Sequence, residues 1–257
     1  MTVITLTSDW GLKDHYLAVV KGIILCQIPD AQIVDISHEI PPFNLRQASF
    51  ILRNAYKSFP EGTIHIIAMN TIETKDQPHT AALMDGHYFI GTDNGIFSLI
   101  FDRMPDKMVE LEIFQDSNLF TFATRDRFIK AAAHLAHGMP IEELGKLKED
   151  WESQMHFEPV ITDDSIRGMI IYIDNFENVI TNITEKTFLK LRKHRKFSIE
   201  VRGEKINKIS KSYLDVPNGE IVALFGSTGN LEIAINQGNA SGLLGLNIDD
   251  PVSIKFE

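Results

Sequence analysis

Short β-branched runs alternate with stretches of helical periodicity over the first 140 or so residues, and this alternation restricts the chain to strand–helix–strand architecture. Residues 3–6 read as a strand, 16–26 as a helix, 32–36 as a strand and 45–59 as a helix. A third strand covers 63–68, two more lie around 81–84 and 87–90, and 128–137 reads as a helix ended by Gly138. The expectation is an α/β unit with a layered, Rossmann-like sheet. Its first strand runs straight into the polar tip Thr7-Ser8-Asp9-Trp10-Gly11. An acid at the carboxyl end of such a strand lies where α/β sheets open their ligand crevice, which makes Asp9 the first candidate binding residue. The alternative is an N-cap or Asx-turn residue that only shapes the strand-to-helix connection.

Between residues 143 and 164 the chain turns polar, with Lys146, Lys148, Glu149, Asp150 and a Pro159 break, and a linker is expected there. After Ile166 the pattern becomes β: runs at 168–173, 179–183, 197–201, 220–224, 231–235 and 252–256 are separated by Asn, Gly and Asp turns. Spacing of this kind suggests a smaller all-β sandwich or barrel. The expected division is 1–155 for the α/β domain and 165–257 for the β domain.

With 257 residues, 44% of them apolar, the chain can bury one large core or two moderate ones. Its formal charge of −10 disfavours a broad basic face, so neither nucleic acid nor an anionic membrane is an expected partner. The run Lys190, Arg192, Lys193, Arg195 and Lys196 reads as the cationic last turn of a helix beginning near Glu185, with a surface-binding role as the other reading. Cys26, the single cysteine, follows Gly22-Ile23-Ile24-Leu25 and reads as a buried thiol. No apolar stretch reaches the roughly 18 residues of a membrane span and no leader pattern opens the chain, so a cytoplasmic protein is expected.

Polar clusters fall at the expected strand ends. Asp35, His38 and Glu39 are residue types that ligate metals, but adjacent side chains need not converge; hydrogen-bonded loop structure is preferred and no metal is expected. Gly91-Thr92-Asp93-Asn94-Gly95 is a turn first, and a ligand contact only if its amides face the crevice. Gly226-Ser227-Thr228-Gly229 could cradle an anion, yet the same pattern fits many hairpin turns.

Taken in order, these clusters resemble the S-adenosylmethionine hydroxide adenosyltransferases, relatives of the fluorinating and chlorinating enzymes. The resemblance is carried by Thr7-Ser8-Asp9-Trp10-Gly11-Leu12-Lys13-Asp14-His15-Tyr16, by Val34-Asp35-Ile36-Ser37-His38-Glu39-Ile40-Pro41-Pro42-Phe43, and by Asp93-Asn94-Gly95 and Arg125-Asp126. In the second half it is carried by Ile173-Asp174 with Phe176 and Asn178, by Thr181-Asn182-Ile183, and by Ser227 with Gly229 before Leu231-Glu232-Ile233-Ala234. It implies an N-terminal α/β domain, a C-terminal β domain, and a homotrimer whose S-adenosylmethionine sites lie between one subunit's first domain and its neighbour's second. It also implies that Asp9 accepts hydrogen bonds from the ribose hydroxyls, a role suited to an acceptor-only carboxylate. Phe43 matches an aromatic lining the adenosyl pocket; Asp174, Phe176, Asn178 and Ser227 match the face supplied by the second domain, with Asp174 a partner for the cationic methionine portion.

The chain departs from the hydrolysing members at their Asp, Arg and His, which are thought to position and polarise the attacking water. Asn70 stands at the Asp position, Gln77 at the Arg position and Ala123 at the His position. General acid–base help worth about 10²- to 10⁴-fold is absent unless a neighbour supplies it. Thr124 brings a hydroxyl beside Ala123, and Glu73, Asp76 and His79 lie in the rewritten loop as candidate substitutes. Two functions follow: cleavage of S-adenosylmethionine to adenosine and methionine by water at the 5′ carbon, or binding of S-adenosylmethionine or adenosine without turnover. Halogenation ranks lower, because the aromatic residue of the halogenating relatives is missing at position 70.

Overall fold

A computed structural model describes residues 1–115, 118, 120–155 and 157–257. The chain forms two compact units, Met1–Met155 and His156–Glu257.

The first unit carries β1 (Val3–Ser8), α1 (Tyr16–Gln27), β2 (Gln32–Ser37), α2 (Leu45–Ala55), β3 (Ile64–Ala68), β4 (His79–Met84) and β5 (His87–Thr92). It continues with α3 (Ile96–Ile100), β6 (Lys107–Leu111), α4 (Ile129–Ala136) and β7 (Gly145–Leu147). The strand order is β2-β1-β3-β5-β4-β6-β7. Strands β2, β1, β3 and β5 run parallel, and β4, β6 and β7 extend the sheet antiparallel. Because β2 and β3 lie on opposite sides of β1, the chain reverses its winding there, and a crevice opens beyond the carboxyl ends of β1 and β3.

Strand alternation sorts the core into two layers. Ile4, Leu6, Ile64 and Ile66 pack with Leu17, Val20 and Ile24 of α1 and with α4, while Ile67, Met69 and Phe89 pack on the other face with Ala48 and Leu52 of α2 and with α3. Asn44 caps α2 by accepting from the Gln47 amide. The expected helix at 45–59 ends earlier, at Ala55, and passes into a 3₁₀ turn at Tyr56–Ser58 before Pro60. The expected helix at 128–137 is entered through a π turn at Thr124–Phe128. Elements α3, β6 and β7 have no counterpart in the sequence reading, since runs of three to five residues are too short to establish a period.

Cys26 is exposed, not buried as expected. Leu17, Val20 and Ile24 form the inward stripe of α1, and residue 26 falls on the outward face beside Leu25, which is 49% exposed. The apolar run misled because this helix is apolar on both faces. In the polar stretch after residue 143, β7 pairs with β6, Trp151 stacks on Phe101 and the Glu152 amide donates to Asp93, so this segment packs on the first unit.

The second unit contains β8 (Val160–Ile161), β9 (Ser165–Ile173), β10 (Val179–Thr184), α5 (Glu185–Arg192), β11 (Phe197–Val201) and β12 (Glu204–Ile206), then β13 (Ile221–Phe225), β14 (Asn230–Ile235), α6 (Ala240–Leu244) and β15 (Pro251–Phe256). The antiparallel order β12-β11-β15-β9-β10-β14-β13 curls until β12 and β13 approach one another, giving a nearly closed barrel. Ile166, Ile170, Val179, Leu231, Ile233 and Ile254 fill its interior. Thr184 caps α5, and at the other end Arg192 lies over Phe188 and Phe197 while Arg195 lies over Phe256 and donates to the Leu191 carbonyl. The basic run thus closes a helix, with Lys190 and Arg192 in its last turn. No helix among the described residues is long and apolar enough to cross a membrane.

One polar group lies deep in the first unit. His65 is fully buried, with Nδ1 2.7 Å from Thr5 Oγ1, Nε2 3.3 Å from His87 Nδ1 and its ring stacked on Phe89. Burial, helped by the charge that His87 can carry, pushes the His65 imidazolium down to about 3. A pKa depressed on folding gives stability that is complete above the unfolded value near 6.5 and is lost as pH falls toward 3. Between pH 7 and pH 5 this single group should remove about 2 kcal/mol. Urea melts at both pH values should show that loss in the native protein and a smaller one in His65→Gln.

Candidate functional site

The crevice at the β1/β3 switch is a cleft of about 350 Å³ lined by Asp9, Trp10, Tyr16, Pro42, Phe43 and Asn70, among others. Its geometry follows from two loops bonded to each other. After β1 the chain turns at Gly11, whose φ of +67° suits a residue without Cβ, and the Gly11 amide donates to the His38 carbonyl at 2.7 Å. After β2 the loop 38–43 returns, and the Phe43 amide donates to Asp9 Oδ2 at 2.9 Å. The other oxygen of Asp9 has no protein partner among the described residues. Phe43 itself holds φ at +64°, and its ring is 71% exposed at the rim. A left-handed phenylalanine is strained, and such strain clusters at functional sites.

Behind the tip, Ser8 Oγ lies 2.7 Å from His38 Nδ1, and His38 Nε2 lies 3.1 Å from Asp35 Oδ1. That second contact is at ion-pair distance but poorly aligned as a hydrogen bond, because the N–H does not point along it. Lys21 Nζ of α1 donates to Asp35 Oδ2 at 2.6 Å. Burial acts against the Asp35 carboxylate, but the bond from Lys21 and the close approach of the His38 ring outweigh it and hold its pKa below the usual range. Asp35 and His38 therefore converge on each other, while Glu39 is exposed.

Aromatic rings form one wall. Trp10 and Tyr16 each meet Phe122 edge to face, at 5.5 and 5.4 Å between centroids. Arg125 lies 5.5 Å from the Phe122 ring and grips Asp126 through Nε and Nη2. Trp10 and Tyr16 were given no role by the sequence reading, although both stand inside the motif around Asp9; their spacing across a turn carries no period to mark them as neighbours.

At the end of β3, Asn70 lines the cleft in left-handed conformation (φ +46°), and Asn94 steadies this end by donating Nδ2 to the carbonyls of Met69 and Asn70. The Gly91–Gly95 turn thus braces the strand end through Asn94. Asp93 is fully buried and faces Lys148 at 3.2 Å, burial raising its pKa against that attraction. Gln77 and Thr124 do not line the cleft. The Gln77 amide closes a turn on Thr74, and Thr124 is fully buried with no hydrogen-bond partner for its hydroxyl among the described residues.

The loop 70–78 is held from below by an ion network. Arg127 Nη1 donates to Glu73 Oε2 and, at 3.0 Å, to His79 Nδ1; arginine has no acceptor, so His79 carries its proton on Nε2 and donates to the Thr71 carbonyl at 3.0 Å. Burial lowers the His79 pKa, and Arg127 adds to the effect against Thr71 and Glu73. None of Glu73, Asp76 and His79 lines the cleft.

On the β unit, Asp174 closes the turn between β9 and β10, accepting from the amides of Phe176 and Asn178 on Oδ1 and from the Asn178 side chain on Oδ2. Phe176 is 74% exposed and Asn178 is buried. Gly226–Gly229 is the hairpin turn between β13 and β14, with Ser227 exposed at its tip. A residue to which the sequence assigned no role of its own sits beside it. Glu232 is buried on β14 and accepts from Tyr213 Oη at 2.6 Å, and burial raises its pKa with help from the charge of Asp174. Its Oε2 would lie 2.5 Å from a Cβ at position 226, so any side chain there would have to push this carboxylate aside.

Residues 4–145 match the S-adenosylmethionine hydroxide adenosyltransferase N-terminal domain, and residues 168–253 match the C-terminal domain of the same family. The chain belongs to the S-adenosylmethionine hydroxide adenosyltransferase family. It is 32% identical to an (R)-S-adenosyl-L-methionine hydrolase of Thermus thermophilus over 96% of this chain and 97% of that one. It is also 30% identical to the hydrolase of the same name from Methanocaldococcus jannaschii, over 100% and 97%, and 26% identical to a fluorinase of Nocardia brasiliensis, over 98% and 96%. In fold it is similar to a conserved protein of Thermotoga maritima, with a TM-score of 0.89 at 32% identity over 99% of this chain and 100% of that one. Gly11→Ala should cost about 1 kcal/mol through the backbone alone, since its Cβ meets no neighbour within 4 Å, and calorimetry should show a melting midpoint lower by about 2–4 °C.

Proposed function

We propose that this chain binds S-adenosylmethionine in the cleft between the ends of β1 and β3 and hydrolyses it to adenosine and methionine. One observation carries the reading: Asp9 lines the cleft with one carboxylate oxygen on the Phe43 amide and the other available to accept from ribose hydroxyls. Trp10, Tyr16 and Phe43 supply aromatic surface for the adenosyl group. On the β unit, Asp174, Phe176, Asn178 and Ser227 are the face assigned to the ligand, with Asp174 the partner for the cationic methionine portion.

In the reaction a water oxygen forms a bond to the 5′ carbon as the carbon–sulfur bond breaks. The bonding pair stays on sulfur, which leaves as the neutral thioether of methionine, and the water proton passes to solvent. The sulfonium is already an activated leaving group, so alignment of water and substrate can supply several kcal/mol without a base. Asn70 is the polar side chain at the end of β3 in the cleft, able to hold a water by its amide but not to take its proton. Turnover is therefore expected to be slower, by about 10²- to 10⁴-fold, than with a working general base. Asn70, Gln77 and Ala123 also favour a second reading, a protein that binds S-adenosylmethionine or adenosine and releases it unchanged.

Incubation with each sulfonium epimer, followed by chromatography of adenosine and methionine, separates the two. The (R) epimer is the one in the hydrolase relatives' names and is expected to be the substrate. Product above the spontaneous background supports hydrolysis, and calorimetric binding without product supports the second reading. Asp9→Ala should weaken binding at least about tenfold in either case, having lost charge-assisted bonds. Light scattering should give a homotrimer, the assembly implied for a cytoplasmic protein of this kind; a monomer would remove that expectation.

A further inference from the structure

We infer that Ser8, His38 and Asp35 form a positioning relay that fixes the Asp9 tip for ribose recognition. The inference rests on the reading of Asp9 as the ribose ligand.

The relay has a direction. The Asp35 carboxylate faces His38 Nε2 at 3.1 Å and favours the tautomer that carries its proton there. Nδ1 is then an acceptor, and the Ser8 hydroxyl 2.7 Å away donates to it. With its proton committed, Ser8 Oγ presents lone pairs forward to the Trp10 amide at 3.4 Å, across Asp9. The His38 carbonyl holds the far side of the same turn through Gly11. Asp9 is thus spanned by two contacts from one histidine, one through its ring and Ser8 and one through its backbone. Lys21 anchors the outer end of the relay by its bond to Asp35 Oδ2.

Burial separates this relay from loop decoration. Ser8 and His38 are 1% and 4% exposed, and buried polar groups that lose a partner are costly. The order hydroxyl, imidazole, carboxylate is also that of a nucleophilic triad. Here, however, the hydroxyl is buried and does not line the cleft, so no substrate carbon reaches it and the set acts through Asp9.

The test compares calorimetric affinities for adenosine and 2′,3′-dideoxyadenosine, which differ only in the hydroxyls that Asp9 would bind. Ser8→Ala should weaken adenosine about tenfold and leave the dideoxy analogue unchanged, while Ser8→Thr, which keeps the hydroxyl, retains the preference. Asp35→Asn, a change at a half-exposed side chain that spares the buried part of the relay, should reduce the preference in the same direction and serves if Ser8→Ala does not fold. Parallel loss of both ligands, or a preference unchanged in Ser8→Ala and Asp35→Asn, would overturn the relay. A native protein without any preference for adenosine would instead remove the ribose reading of Asp9 on which it rests.

Discussion

Parallel pairing of β1 with β2 on one side and β3 on the other is the constraint from which the rest of the first unit follows. It forces the helices α1 and α2 onto opposite faces, and it leaves the two loops beyond the strand ends as neighbours across the crevice. Those loops cannot then be independent. The bonds from Gly11 to His38 and from Phe43 to Asp9 tie them into one rigid edge, and Asn94 steadies the third strand end beside them.

Much of this architecture was legible in the sequence because the strands of the first unit are short, β-branched and regularly interrupted. The elements missed were those whose signal is spatial or too brief, such as the single-turn α3 and the three-residue β7. Cys26 misled for a physical reason: on α1 apolar residues occur on both faces, so hydrophobicity could not say which side faces water. Asp9 was visible as an acid at a strand end. The Ser8–His38–Asp35 contacts were not, since residues 30 positions apart in sequence meet only after β1 and β2 pair. Glu232 was hidden differently, as a charge inside an otherwise apolar strand whose partner Tyr213 arrives from a separate 3₁₀ turn.

The loop after β3 illustrates how one side-chain type changes meaning with its surroundings. His79 offers an imidazole near the candidate reaction site in sequence, yet its two nitrogens are committed to Arg127 and Thr71. Glu73 is spent on the same arginine. These charges hold the loop in shape, and Asn70 and Thr71 are the polar residues that this loop brings to the cleft.

Phe43 couples stability to chemistry at the rim. Its left-handed backbone disfavours every residue with a Cβ by about 1–2 kcal/mol, whereas glycine adopts it freely. Glycine at 43 is therefore the substitution that would most relieve this loop, and it is also the one that would delete the exposed ring. If the rim holds the adenosyl group as proposed, backbone ease and ligand contact make opposite demands on this one position.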